Sequence, residues 1–169
     1  MGGRRKDGTA ITVTGTERVP LSTLVPFPAN PRRGNVPLIV ESLRAHGQYR
    51  ALVVNRRTGQ VLAGNHTLLA LREVGASEAL VHFVDVDEDE AARIVLVDNR
   101  SNDLARYDDQ ALLELLQSLE ELDGTGWLQE DLTRLMDAAD FEPLGADTQP
   151  RLDEKAPVTC PECGHVFSP

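Results

Sequence analysis

Apolar residues fall along this chain in short blocks of two kinds. Ala51–Val54 and Val61–Ala63 are continuous apolar runs separated by Asn55–Gln60. That pattern predicts two antiparallel strands joined by a Gly-containing loop. Leu80–Val84 predicts a third, buried strand. Between these runs the spacing is helical. Ile39, Val40 and Leu43 mark a helix from Val36 to His46, with Gly47 as its stop. Leu68, Leu69, Leu71 and Val74 mark another, stopped by Gly75. Asp85–Asp103 reads as a helix with acidic residues at its start, where the dipole favours them, and Ala91, Ile94, Val95 and Val97 facing inward. Two further amphipathic helices follow, at about Asp109–Leu122 (Leu112, Leu113, Leu116, Leu119) and about Leu128–Ala139 (Leu132, Leu135, Met136), hinged at Gly124–Gly126. Ahead of them all, Val19–Leu24 predicts an extended stretch and a short helical turn capped by Ser22. Pro26–Arg33 is excluded from regular helix, because each proline pushes its predecessor toward extended geometry. The expected architecture is α/β (α+β): a small mixed sheet with surrounding helices and a helical C-terminal extension.

Composition sharpens this layout. Residues 1–16 read as a disordered leader, 17–107 as the folded domain, 108–142 as the extension, and 143–158 as a Pro/Gly/Asp-rich linker. Residues 159–169 form a cysteine-bearing tail. With aromatics at only 4%, the core must be aliphatic. No apolar run approaches the roughly 20 residues of a membrane span, and no apolar segment follows the basic start, so a cytoplasmic protein is expected. The net charge of −10 is unevenly spread. Residues 1–84 hold 11 Lys/Arg against 5 Asp/Glu, whereas residues 85–142 hold 4 against 18. The basic half can meet phosphates and the acidic half repels a nucleic-acid backbone, so at most weak, salt-sensitive DNA contact is expected, through the leader and Arg32.

The strongest local signal for chemistry is Gly64-Asn65-His66-Thr67, set between a strand and a helix. A glycine there lets backbone approach a ligand closely. The N–H groups that follow open a helix, where free donors and the dipole favour an anion. His66 adds a titratable donor and Thr67 a hydroxyl. A plainer reading is that Asn65 or Thr67 merely caps the helix. Gly64→Val is expected to remove phosphate binding and leave the fold intact. Arg32 offers a guanidinium fork suited to phosphate oxygens. Glu41, among apolar helix positions, is a candidate base or metal ligand.

The order of these parts resembles the ParB/sulfiredoxin-like N-terminal domain of phage and bacterial proteins, over roughly residues 17–107. The resemblance rests on Asn30-Pro31-Arg32 in a Pro-rich loop, a helix ending in His46-Gly47, the two strands, the Gly64–Thr67 turn, and a helix reaching Asp98-Asn99-Arg100. Partition proteins carry Gly-Glu-Arg-Arg at the turn and sulfiredoxins Gly-Cys-His-Arg. The sulfiredoxin cysteine falls here on Asn65, which excludes sulfinic-acid reduction. The two partition-protein arginines fall on His66 and Thr67. The family's Glu-Asn element falls on Asp98-Asn99, and its later arginine falls on Asn102, with Arg100 as the nearest substitute. No helix-turn-helix is evident in residues 109–139.

The resemblance implies a nucleotide site built from Arg32, Gly64, Asn65, His66, Thr67, Asp98, Asn99 and Arg100, taking a nucleoside triphosphate with Mg2+. It implies a nucleotide-binding accessory protein of DNA metabolism. A phosphotransferase or nuclease on the same pocket is the first alternative, so whether the chain is an enzyme stays open. A non-catalytic module docking a protein partner through its acidic helices is the second. In the tail, Cys160 and Cys163 form half of a zinc-knuckle ligand set, with His165 close by. A zinc ion shared in a homodimer, a partial site, and two free thiols are all compatible with that spacing.

Overall fold

The computed structural model describes residues 11–139 and 158–167. The first ten residues of the leader and nearly all of the linker, residues 143–157, lie outside the described residues. The chain divides into two compact units, residues 1–135 and 136–169.

The first unit is built on a mixed five-stranded sheet. Its strands are β1 (Gly15–Pro20), β2 (Val25–Pro26), β3 (Leu52–Asn55), β4 (Gln60–Ala63) and β5 (Glu78–Val84), in the order β1-β5-β3-β4-β2. β3 and β4 pair antiparallel, as their loop predicts. β3 lies parallel to β5, with Leu52 opposite Val81. The two outer strands were not legible. β1 starts at Gly15, inside the stretch read as leader, and pairs antiparallel with β5. Its Thr, Glu and Arg side chains leave no apolar alternation to detect. β2 is two residues long, parallel to β4, and includes Pro26 at a sheet edge, where a missing N–H breaks no ladder.

The helices are α1 (Val36–His46), α2 (Asn65–Glu73), α3 (Glu88–Leu104), α4 (Asp109–Gln117) and α5 (Gln129–Ala139), and α2 and α3 cover opposite faces of the sheet. Alternate residues of each strand serve opposite faces. Val61 joins Leu52, Val54, Val81 and the α2 residues Leu68 and Leu71 in one apolar cluster. Its neighbour Leu62 joins Val84, Val86 and the α3 residues Ala91 and Val95 in the other. The core is aliphatic, as expected.

Several expected contacts are corrected. Ser22 caps nothing. The 3-10 turn Leu21–Thr23 follows Pro20 with no side-chain cap, and Thr23 instead donates to the Pro20 carbonyl at 2.7 Å. α1 is capped by Asn35, whose side chain accepts from Leu38 N, and α3 by Asp87. Leu69 and Val97 are exposed, because a full helical stripe is wider than the sheet surface available to it. Leu119 is exposed because α4 ends before it, at Gln117, and Met136 of the last expected stripe is exposed too. α4 buries Leu112, Leu113 and Leu116, and Gly124 N donates to Glu41 Oε1 at 3.3 Å. The segment read as an extension thus packs onto the body as far as the loop before α5. Among the described residues, no helix is long and apolar enough to cross a membrane.

In the second unit, β6 (Val158–Thr159) and β7 (Val166–Phe167) form an antiparallel hairpin around the cysteine turn.

Candidate phosphate-binding site

β4 delivers the chain to Gly64, whose φ of 90° is left-handed and which serves as the N-cap of α2. There is no side-chain cap. Leu68 N takes the Gly64 carbonyl at 2.9 Å, so the N–H groups of Asn65, His66 and Thr67 remain as the first-turn donors of the helix. The capping alternative therefore fails for both candidates.

Asn65 has a different job. It is 8% exposed, donates through Nδ2 to the Val61 carbonyl at 2.9 Å, and accepts the Phe27 N–H through Oδ1 at 2.8 Å. Its side chain ties the Pro-rich loop to the strand–helix turn, leaving its backbone N–H as the group it can offer an anion. His66 Nε2 accepts from Gly34 N at 2.9 Å, which puts the ring proton on Nδ1. A Cβ on Gly34 would lie 2.6 Å from the ring, so the loop passes directly over the imidazole.

These groups open onto a cleft of about 250 Å³. Its wall includes Arg32, Gly64, Asn65, His66, Thr67, Asp98 and Asn99, seven of the eight residues expected from the sequence. Arg100 is the exception. It is exposed and lies outside the cleft lining, one helical step beyond Asn99. Asn102 lines the cleft instead.

Arg32 is partly committed. Its Nη1 lies 2.8 Å from both the Asn99 carbonyl and Asp103 Oδ1. Asn99 Nδ2 in turn donates to Asn30 Oδ1 at 3.0 Å, and Arg32 N donates to that same oxygen at 3.1 Å. The Pro-rich loop is thereby stapled to the end of α3, and Arg32 is less available to DNA than its sequence position suggests. Asp98 adds a carboxylate to the wall with no partner among the described residues.

One residue was missed. Arg50 lines the cleft and has no ion-pair partner among the described residues. It is held there by Gln48, which pairs with both backbone groups of Leu80 on β5 (2.7 and 2.9 Å) and also donates to the Arg50 carbonyl at 3.1 Å. The available signal was a lone arginine directly before a buried strand. Arg50, Ile39 and Thr67 also border an adjoining cavity of about 410 Å³, formed between α1 and the Gly124 loop. Glu41 lines neither cavity.

In the cysteine hairpin, Cys160 N donates to the His165 carbonyl and Gly164 N to the Cys160 carbonyl, both at 2.9 Å. The Cys160 thiol is held below the ordinary cysteine range, first by the Cys163 backbone N–H, then by that of Glu162 and by the Cys163 side chain. Among the described residues, no three His, Cys, Asp or Glu side chains gather into a metal-binding group.

No protein-family profile matches the sequence, and no curated protein matches it significantly. Solved structures do. The C-terminally truncated chromosome-partitioning protein ParB from Caulobacter crescentus, complexed with CTP-gamma-S, is 18% identical. It matches over 72% of this chain and 71% of its own, with a TM-score of 0.55. A Pnob8-like ParB-N domain is 21% identical over 95% of this chain, with a TM-score of 0.48, and this chain spans only 58% of its length. At such identity the likeness is one of fold. The mixed sheet, the helices on its faces and the Gly64 turn together have the fold of a ParB-like N-terminal domain.

Proposed function

We propose that this chain binds a nucleoside triphosphate together with Mg2+ and serves as a ParB-like accessory protein of DNA metabolism in the cytoplasm. The observation that carries the reading is the uncapped start of α2, whose N–H groups open onto a cleft flanked by Arg32 and Arg50. Such an arrangement favours an anion through both free donors and the helix dipole. Asp98 fits the same reading. A carboxylate beside phosphates is repulsive unless a cation lies between them, and Mg2+ is characteristically held by one or two carboxylates plus substrate phosphates. The adjoining 410 Å³ cavity is large enough for a nucleoside. The Caulobacter ParB of the same fold was complexed with CTP-gamma-S, which makes cytidine triphosphate the first ligand to try.

For the phosphotransferase and nuclease readings, Glu41 lies outside the cleft, and the groups at hand there for proton transfer are Asp98 and His66. The interaction-module reading has one observation in its favour. Leu96, Val97 and Leu104 on the acidic helix α3 are all more than half exposed, apolar side chains of the kind a protein partner covers.

The test is thermal unfolding with each nucleoside triphosphate, with and without Mg2+. A ligand that binds the folded state alone stabilises it by mass action, by about 2.7 kcal/mol at a hundredfold excess over Kd, and so raises the melting temperature. We expect a shift that needs Mg2+ and is lost with the nucleoside alone. Melting unaffected by any nucleotide would remove the proposal.

A further inference from the structure

The loop Gly124–Gly126, between α4 and α5, lies across α1 too closely for side chains to intervene. A Cβ on Gly124 would sit 2.7 Å from both Ala45 Cβ and His46 Nε2, and one on Gly126 would sit 3.0 Å from Leu38 Cδ1. Glu41 Oε1 holds the loop in place by accepting from Gly124 N at 3.3 Å. The 410 Å³ cavity opens between this loop and α1. Ile39, Arg50 and Thr67 line both that cavity and the phosphate cleft, so a ligand anchored at the start of α2 has this space next to it.

The polar side chains of the cavity divide into engaged and free. Gln48 is taken up by Leu80 and the Arg50 carbonyl. Thr125 Oγ1 donates to the Leu122 carbonyl and accepts the Trp127 N–H at 3.1 Å. Ser42, His46, Tyr49, Arg50 and Thr67 have no side-chain hydrogen bond among the described residues. Arg50 and Thr67 belong to the junction with the phosphate cleft. Ser42 and His46, four positions apart on one face of α1, stand beside apolar Leu38, Ile39 and Leu43. Apolar walls with a few unpaired polar groups suit a nucleobase better than a further anion. On the nucleotide reading above, we propose that the C-terminal extension builds the nucleoside half of the site. Its Gly124 loop is one wall, and Ser42 and His46 opposite are the specificity-determining side chains that hydrogen-bond the base.

The full chain should be titrated by calorimetry, with Mg2+, against each of the four ribonucleoside triphosphates and against inorganic tripolyphosphate. The emission of Trp127, the sole tryptophan, should be followed alongside. Its N–H is bonded to Thr125 and its ring meets Tyr107 edge-on at 5.4 Å, so a ligand seated against the loop alters its surroundings. We expect the tightest-binding nucleotide to exceed tripolyphosphate in affinity and alone to shift the emission. His46→Ala, at an exposed position, and Ser42→Ala, at a half-buried one, should each weaken that nucleotide about two- to tenfold, the effect of one lost hydrogen bond. Both should bind tripolyphosphate as wild type does. Gly124→Ala, which forces the loop off α1, should produce the same split. Equal binding of nucleotide and tripolyphosphate by wild type would overturn the nucleoside wall and leave phosphate recognition standing. So would variants that weaken both ligands alike, or nucleotide affinity unchanged in all three. Binding of neither ligand by wild type would remove the nucleotide reading itself, and the wall with it.

Discussion

Gly64→Val should lower the stability of the folded body by about 2–5 kcal/mol, a left-handed backbone penalty of roughly 1–2 plus an overpacking cost of about 1–3. The sequence alone suggests a milder outcome, in which the substitution blocks the ligand and spares the fold. Two facts overturn that. Gly64 has a φ of 90°, where a β-branched residue is strained. A Cβ there would also lie 2.6 Å from Leu52 Cδ2, and Leu52 is 1% exposed in the middle of the core. Against a total stability of about 5–15 kcal/mol, such a loss is large. Chemical denaturation measures it directly. A double-mutant cycle of Gly64→Ala with Leu52→Ala separates the causes, because the clash part vanishes when Cδ2 is absent while the backbone part remains. Additive losses in that cycle would show that Leu52 is not what Gly64 accommodates.

Asn65→Leu should cost about 2–4 kcal/mol, since it strands two polar groups at about 1–3 each, with some relief from added apolar burial. The Phe27 N–H and the Val61 carbonyl both lose their Asn65 partner. The change also frees the Pro-rich loop from the turn, so proteolysis near Phe27 should accelerate. Stability equal to wild type in denaturant would show that these hydrogen bonds are replaced by water at no cost.

Both variants illustrate how far the sequence could be read. The three central strands and the bounds of α1 were legible because apolar runs, helical spacing and Gly47 all point the same way there. Strands β1 and β2 were not, because β1 carries mostly polar side chains and β2 is a two-residue edge. The cleft was legible to a useful degree, since Gly64–Thr67, Arg32 and Asp98-Asn99 do meet in space. What the residues do there was not. Asn65 looks like an anion donor or a cap, and only the fold shows its amide turned inward to Phe27 and Val61. Arg32 looks free, yet Asp103 and the Asn99 carbonyl hold it. Arg50 looks like an ordinary surface arginine, and it becomes a cleft residue only because Gln48 fastens its segment to β5. Each of these depends on partners more than thirty positions away or across an unpredictable loop.

Thr67 gives the most direct test of phosphate binding at this turn. It is the third residue of α2 and borders both cavities. A glutamate at that position suits the positive end of the helix dipole, so Thr67→Glu should fold at least as well as wild type. The same carboxylate would face the phosphates at close range, where like charges repel by about 1–4 kcal/mol depending on local screening. Thr67→Gln supplies the same shape without the charge. Calorimetric titration with cytidine triphosphate and Mg2+ should show wild type and Thr67→Gln binding within a few-fold of each other. Thr67→Glu should bind about fivefold to a thousandfold more weakly, the range that repulsion implies. Equal affinity in all three proteins, or binding by none, would contradict phosphate recognition at the start of α2.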